Sequence, residues 1–275
     1  MAEAGLEPRF QTVDGVRLRY VRAGTGPAIV LLHGFASSIV TWRDVMPALA
    51  RDHDVVALDF PGFGGSAIRE GLPPSAYPGL VVGFVESLGL PRASLVGNSL
   101  GGGVAVVVAA RHPQRVDRLV LIDSVGYNLE SADRPWLLRV AGQKPVARLL
   151  EALPLRRPLV TLALHQIFHD DRLVTRERID EYVAPLLRPG AVAAAQALLA
   201  SGDDLGLPGL VAQVRAPTLV LWGREDKWVP VAQADRFVAA IPLSRKVVIE
   251  RCGHMPQEER PVEVARLLEE FLPVR

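Results

Sequence analysis

Short apolar runs rich in valine, isoleucine and leucine recur along this 275-residue chain, with longer amphipathic stretches between them. From residue 28 onward the runs lack polar alternation, which is typical of parallel strands covered on both faces. Two earlier runs are joined by Asp14-Gly15, a hairpin signal. The predicted strands are residues 10–13, 16–21, 28–32, 54–59, 94–98, 118–122, 218–222 and 246–250, and the predicted helices are 41–50, 76–88, 100–111, 231–240 and 261–271. This alternation predicts an α/β fold, a doubly wound parallel sheet with an antiparallel hairpin at its front edge.

The segment 128–212 interrupts this alternation, because it contains no strand-like run. It offers leucine-rich helical stretches punctuated by prolines, at residues 136–141, 145–153, 158–168, 175–187 and 190–200. We therefore predict a core formed by residues 1–127 and 213–275, with 128–212 inserted as a helical cap. Such an insertion would lie over the carboxyl ends of the strands, where open α/β sheets bind ligands.

Composition excludes several classes of function. The net charge of +1 gives no field that would attract nucleic acid or an anionic membrane. The one cysteine, Cys252, permits neither an intrachain disulfide nor a cysteine metal cluster. The N-terminus lacks the pattern of a secretory signal, and the apolar stretch at 104–110 is too short to cross a bilayer. We therefore expect a cytoplasmic protein without stable membrane insertion; the sequence leaves its oligomeric state open.

The strongest local motif is Gly97-Asn98-Ser99-Leu100-Gly101. A G-x-S-x-G match alone is weak, but this one follows a predicted strand and opens a predicted helix. Flanking glycines allow a sharp turn that presents the serine hydroxyl to solvent, and the helix points its positive end at the site. The alternative is a turn in which Ser99 merely caps the helix. The context favours Ser99 as a nucleophile.

A serine hydroxyl needs a base, and the base needs an acid to orient it. Among six histidines, His254 lies just past the last predicted strand, at the sheet edge expected for Ser99. Asp226 follows the strand 218–222 and is the predicted acid, with Asp123, after strand 118–122, as its rival. The order Ser99, Asp226, His254 matches that of a nucleophile-elbow hydrolase.

Acyl transfer also needs donors for the developing oxyanion. The backbone N–H of Leu100 is one candidate. The other is the N–H of Phe35, because Gly34 lets the chain bend after strand 28–32. The glycine-rich segment 59–66 raises a nucleotide-binding alternative, but it lacks the phosphate-binding patterns and is interpreted as a structural turn. No side-chain cluster in the sequence suggests a metal or cofactor, and Cys252 is interpreted as a small buried residue.

Six segments in order resemble the α/β-hydrolase superfamily over essentially the whole chain. They are HGFASS, DFPGFGGS, GNSLGG, LVLID, WGREDKWVP and CGHMPQEERP. The resemblance implies an eight-stranded sheet, a helical cap and the triad named above. Within the serine branch, GNSLGG, CGH and GREDxxVP are similar to meta-cleavage-product hydrolases, which cut C–C bonds in vinylogous diketones. There an Asn beside the nucleophile contributes to substrate binding, which implies that role for Asn98. The chain departs from that pattern at 35–38 and at Met255.

These observations predict a serine hydrolase of carboxylic esters that works through an acyl-enzyme, without a cofactor. Its expected partner is a small-molecule ester with an apolar small to medium acyl group or an aromatic group. Gly34, Asn98 and Trp228 are the predicted substrate-binding residues, with Trp228 and Phe35 at the rim of the acyl pocket. The C–C bond hydrolase is the alternative. An amidase, an acyltransferase and a non-catalytic receptor of the same fold also remain open.

Overall fold

Eight strands form one sheet in the described part of the chain. A computed structural model describes residues 7–69, 71–127, 135–141, 143, 145–146, 156–200 and 205–274. The strands are β1 (Arg9–Val13), β2 (Val16–Ala23), β3 (Ala28–Leu32), β4 (Asp54–Leu58), β5 (Ala93–Asn98), β6 (Val116–Ile122), β7 (Thr218–Gly223) and β8 (Ser244–Ile249). Each predicted strand is present, with ends shifted by at most two residues.

The strands lie in the order β1-β2-β4-β3-β5-β6-β7-β8. The first two form the predicted hairpin, which pairs antiparallel with β4, and every other pairing is parallel. In β3, Val30 and Leu32 pack in the core on one side of the sheet, while Ile29 and Leu31 pack on the other. Both faces are therefore buried, which explains why the parallel strands read as continuous apolar runs.

The helices pack on both sides of this sheet and above its carboxyl edge. They are α1 (Met46–Leu49), α2 (Tyr77–Ser87), α3 (Leu100–Arg111), α4 (Trp136–Ala141), α5 (Arg156–Ile167), α6 (Arg176–Leu186), α7 (Ala191–Ala200), α8 (Leu207–Val211), α9 (Ala232–Ala240), α10 (Pro256–Glu259) and α11 (Pro261–Phe271). The predicted helix 41–50 is wrong in extent. A 3₁₀ turn covers Ile39–Trp42 and a short α-helix follows at α1, because Pro47 has no N–H and fits only the first turn of a helix.

The described residues between β6 and β7 form helices α4 to α8, and the predicted helix 145–153 lies largely outside the described residues. Leu207 and Val211 of α8 belong to the same apolar cluster as α3. In the described residues no single helix is long and apolar enough to cross a bilayer. The pair α6 and α7 reaches that length and composition only when taken together, across a bend of 86°.

Candidate active site

The turn between β5 and α3 presents Ser99 at the carboxyl edge of the sheet. Its backbone has φ 53° and ψ −117°, a conformation that residues other than glycine rarely adopt. The Ser99 N–H donates to the carbonyl of Ile122, at the end of the neighbouring strand β6. The Ser99 side chain makes no capping bond to α3. Its hydroxyl is thus not used to cap α3.

Two glycines make this sharp turn sterically feasible. A Cβ on Gly97 would lie 2.4 Å from the backbone carbon of Gly101, and a Cβ on Gly101 would lie 2.2 Å from the carbonyl oxygen of Leu32. Strand and helix therefore approach each other without an intervening side chain. This close approach holds Ser99 in its strained conformation.

The loops after β7 and β8 bring Asp226 and His254 together. The Nδ1 atom of His254 lies 2.7 Å from Oδ2 of Asp226. The other oxygen of Asp226 accepts the backbone N–H groups of Trp228, at 2.7 Å, and Val229, at 3.0 Å. Both side chains are almost fully buried. The carboxylate is thus fixed by its own loop, and it leaves Nε2 of the imidazole to act on a proton.

The backbone of His254 is held from two sides. Its N–H donates to the carbonyl of Ile167, the last residue of α5, over 2.7 Å. Its carbonyl accepts from Nδ2 of Asn98, the neighbour of Ser99, over 3.2 Å. Asn98 thus links the strand that carries the nucleophile to the loop that carries the base.

The turn after β3 places an amide group next to Ser99. A Cβ on Gly34 would lie 3.1 Å from Cβ of Ser99. His33 Nδ1 lies 2.7 Å from the carbonyl oxygen of Gly34, and its Nε2 accepts the N–H of Phe60. His33 is therefore neutral with its proton on Nδ1, and burial lowers its pKa. Because His33 binds the Gly34 carbonyl, the N–H at the other side of that peptide, on Phe35, points away from His33.

One cavity of about 140 Å³ connects these groups. Its wall includes every predicted site residue except Leu100 and Asp226: Gly34, Phe35, Asn98, Ser99, Trp228 and His254. The remaining wall comes mostly from apolar side chains of the insertion, among them Leu137, Leu159, Val160, Leu164, Ile167, Val192 and Leu199. Arg156 is the one charged residue among the described residues of the wall. Trp228 lies beside the imidazole, with 5.8 Å between ring centroids.

Cys252 is fully buried, and burial raises its pKa, so this thiol is unsuited to be a nucleophile.

The glycine-rich segment 59–66 is organised around Asp59. This side chain accepts from the N–H groups of Gly65 and Ile39, and it pairs with Arg19. The segment is a buried structural turn, as predicted.

The sequence did not identify two acids that support the site. Glu259 accepts the N–H of Gly253, next to the base, and the N–H of His169 in the insertion. Glu258 accepts from Thr41 in the core and from Tyr182 on α6, which lines the cavity. Both acids are buried. In the sequence, these two acids lie in a polar stretch that is typical of a solvent-exposed segment. No local pattern therefore predicts that they are buried beside the site.

Residues 27–261 match the family described as the alpha/beta hydrolase fold. The chain is an α/β hydrolase. It is 32% identical to the dihydrolipoyllysine-residue acetyltransferase component of the acetoin cleaving system of Cupriavidus necator, over 98% of this chain and 70% of the relative. It is 31% identical to the 2-hydroxy-6-oxo-2,4-heptadienoate hydrolase of Pseudomonas putida, over 96% and 95%. A solved structure of a meta-cleavage product hydrolase from Pseudomonas fluorescens superposes with a TM-score of 0.80, at 28% identity and 96% coverage of both chains.

Membership of this family confirms the predicted fold and the prediction that the chain is a hydrolase. The relatives of this α/β hydrolase include both an acetyltransferase component and a heptadienoate hydrolase. The reaction must therefore be argued from the site.

Proposed function

We propose that this α/β hydrolase is a serine hydrolase in which Ser99 attacks a carbonyl carbon, His254 takes the serine proton, and Asp226 orients His254. The observation that carries the proposal is the position of Ser99 and His254 on one cavity, with Asp226 bonded to the far side of the imidazole. This arrangement supplies the base that a serine hydroxyl needs near neutral pH.

The oxyanion formed by this attack requires backbone donors. We assign the N–H of Leu100, at the start of α3, because the first amides of a helix have no partner inside the helix. The second donor is the N–H of Phe35, which the bond between His33 and the Gly34 carbonyl directs away from His33. Collapse of the tetrahedral intermediate leaves an acyl group on Ser99 and transfers the proton of His254 to the leaving group. Water, deprotonated by His254, then releases the acid.

The first candidate for the scissile bond is a C–C bond of a vinylogous diketone. The heptadienoate hydrolase and the meta-cleavage product hydrolase support it, since both match nearly the full length of this chain. A dienoate has one carboxylate and a long apolar part. The cavity wall contains one cation, Arg156, and is otherwise mostly apolar, which suits such a molecule. The vinylogous diketone is the keto tautomer of the 2-hydroxy-6-oxo-dienoate. In this form the C5–C6 bond would break, its electron pair would be delocalised through the C3=C4 bond onto the 2-oxo group, and C5 would take the proton from His254.

The second candidate is a carboxylic ester, which the sequence alone favours. Phe35 and Met255 both line the cavity, and at these positions the chain departs from the pattern that it resembles in C–C hydrolases. They add apolar surface next to Ser99 and His254, which suits an uncharged acyl chain. Water attacks the same acyl-enzyme in both reactions, so the two candidates differ in the leaving group.

Two substrate series distinguish the candidates. The first comprises 2-hydroxy-6-oxo-hexa-2,4-dienoates with a 6-methyl or 6-phenyl group, followed by loss of their visible absorbance. The second comprises p-nitrophenyl esters from acetate to dodecanoate. For the C–C hydrolase, kcat/KM on a dienoate exceeds that on every ester by at least about 100-fold. The reverse ranking assigns ester hydrolysis and overturns the first candidate.

A fluorophosphonate probe tests the nucleophile independently of the substrate. We expect labelling of the wild type and its loss in Ser99→Ala. Ser94→Ala is the matched control, because Ser94 lies at the other end of β5, is buried, and its hydroxyl has no hydrogen-bond partner among the described residues. Failure of the wild type to react would overturn the serine mechanism and favour a non-catalytic receptor.

A further inference from the structure

Asp123, which follows β6, is a buried acid without a role in the mechanism above. Its backbone has φ 45°, and its side chain is fully buried. Oδ1 accepts the N–H of Gly223, at the end of β7, over 3.0 Å. A residue other than glycine in this conformation is strained, and such strain concentrates at functional sites.

The Asp123 carboxyl group lies next to the predicted acid and base. One oxygen of Asp123, one of Asp226 and one ring nitrogen of His254 all lie within 4.8 Å of one another, which places the two carboxyl groups within reach of a shared hydrogen bond. In the described residues no N–H or O–H group donates to Oδ2 of Asp123. Its neighbour is a carboxylate, which accepts but does not donate. A proton on one of the two carboxyl groups is therefore needed to complete the contact.

Two carboxylates in one buried site cannot both ionise at low cost, so one retains a proton. Asp226 accepts two backbone N–H groups and lies against His254, and each of these contacts stabilises its anion. Asp123 accepts one N–H, from Gly223. Burial, and next the charge of Asp226, raise the pKa of Asp123 well above its usual range. Glu259 acts in the same direction, and the buried thiol of Cys252 is also near. The proton therefore belongs on Asp123.

We propose that Asp123 is a positioning residue: as a neutral acid it donates a hydrogen bond from Oδ2 to the carboxylate of Asp226 and holds that carboxylate against His254. This inference rests on the proposed roles of Asp226 and His254. The charged pair formed during the attack is then one carboxylate and one imidazolium, without a second buried negative charge. Asp226 gains a donor on the side facing β6, in addition to those from its own loop.

Asparagine at position 123 imitates the neutral acid. It keeps the shape, accepts from Gly223 N–H through Oδ1 and donates to Asp226 through Nδ2. We expect the Asp123→Asn variant to label with the fluorophosphonate within about threefold of the wild-type rate at pH 7, and the midpoint of the acidic limb of its pH profile to stay unchanged. Asp123→Ala loses the donor, and its labelling rate falls at least about tenfold, because a small misplacement of catalytic groups slows the reaction strongly.

Two results with these variants would overturn the proposal. If Asp123 is ionised, Asp123→Asn removes a negative charge beside the imidazolium and moves the midpoint to lower pH. Equal labelling rates for the alanine and asparagine variants would show that the donor has no role. Asp117→Asn is the matched control, since Asp117 lies on the same strand, is partly exposed, and pairs with Arg92 at the surface.

An infrared measurement needs neither substrate nor the alanine variant. The difference spectrum of wild type minus Asp123→Asn, recorded in D₂O at pH 7, should contain the C=O stretch of a protonated carboxyl group. Its absence overturns the proposal even if Ser99 labels normally. If instead Ser99 fails to label while the band is present, the serine mechanism fails and the protonation of Asp123 stands. Addition of Zn²⁺ or Mg²⁺ should leave the band unchanged, and its loss would assign the carboxyl pair to a metal.

Discussion

The edge of the core sheet and the helical insertion contribute to the same cavity in different ways. At the sheet edge, polar groups are fixed by many directional bonds: Asp226 accepts three N–H groups, and the backbone of His254 is bonded on both sides. The insertion supplies mainly apolar side chains, with Arg156 as the one charged residue in the described wall. Directional bonds define the geometry of a reaction, whereas apolar contacts define which molecule fits.

This difference predicts that substitutions in the two regions should change different properties of the enzyme. A change at the sheet edge should lower turnover of every substrate, because it alters the transition state. A change in the insertion should alter the ranking of substrates, because it changes the shape of the cavity.

The largest effect is expected for His254→Ala. Without a base, kcat should fall at least about 10⁴-fold on every substrate that the wild type converts. Steady-state kinetics measures this loss, and circular dichroism confirms that the variant is folded. His112→Ala is the control, since His112 lies at the end of α3, far along that helix from Ser99. A loss confined to one substrate class would contradict the separation between the two regions.

A smaller effect is expected for Ala163→Phe on α5, which lines the cavity. The added ring reduces the space for the substrate, so kcat/KM for the 6-phenyl dienoate or p-nitrophenyl octanoate should fall roughly 10- to 100-fold. The values for the 6-methyl dienoate or p-nitrophenyl acetate should change less than about threefold.

Leu162→Phe is the matched control on the same helix, because Leu162 is exposed and lies outside the cavity wall. Leu162→Phe should leave kcat/KM unchanged for both the large and the small substrates. If Ala163→Phe lowers small and large substrates equally, α5 contributes to the chemistry and not to selection alone.

How much could be predicted from the sequence also differs between the two regions. Parallel strands read as apolar runs, and Ser99 lies in a local motif, so strands and nucleophile follow from short-range patterns. The positions of Asp226 and His254 follow because parallel strands end at the same edge. The roles of Glu258 and Glu259 depend on contacts with Thr41, Tyr182 and His169, distant in the chain, which no local pattern contains. The residues of the cavity wall could not be predicted from local patterns either, because apolar helices have many ways to pack.

The pH dependence of stability tests whether His33 supports the site in its neutral form. The unfolded pKa is about 6.5, and burial lowers the pKa in the folded protein. Below pH 6.5 the unfolded chain therefore binds more protons at this position, and stability is lost as pH falls toward the folded pKa. The slope is at most about 1.4 kcal/mol per pH unit.

We expect His33→Gln to reduce this slope between pH 6.5 and 5, measured by urea unfolding at a series of pH values. His112→Gln should keep the wild-type slope. A steeper slope in His33→Gln would mean that His33 gains a proton on folding, contrary to its bonds with Gly34 and Phe60.

The smallest effect is expected where the two regions meet. There the hydroxyl of Tyr182, on α6, donates a hydrogen bond to Glu258, which follows His254 in the chain. Tyr182→Phe removes one donor from a buried carboxyl group that Thr41 still contacts. The free energy of unfolding should fall by about 1.5 kcal/mol, the usual contribution of a hydrogen bond to a charged group. The exposed hydroxyl of Tyr127 donates to the backbone carbonyl of Arg236, and its removal in Tyr127→Phe should cost less than about 0.5 kcal/mol. If Tyr182→Phe also changes the ranking of substrates, the bond sets the position of the insertion over Ser99. If stability alone changes, the bond joins the two regions without a role in selection.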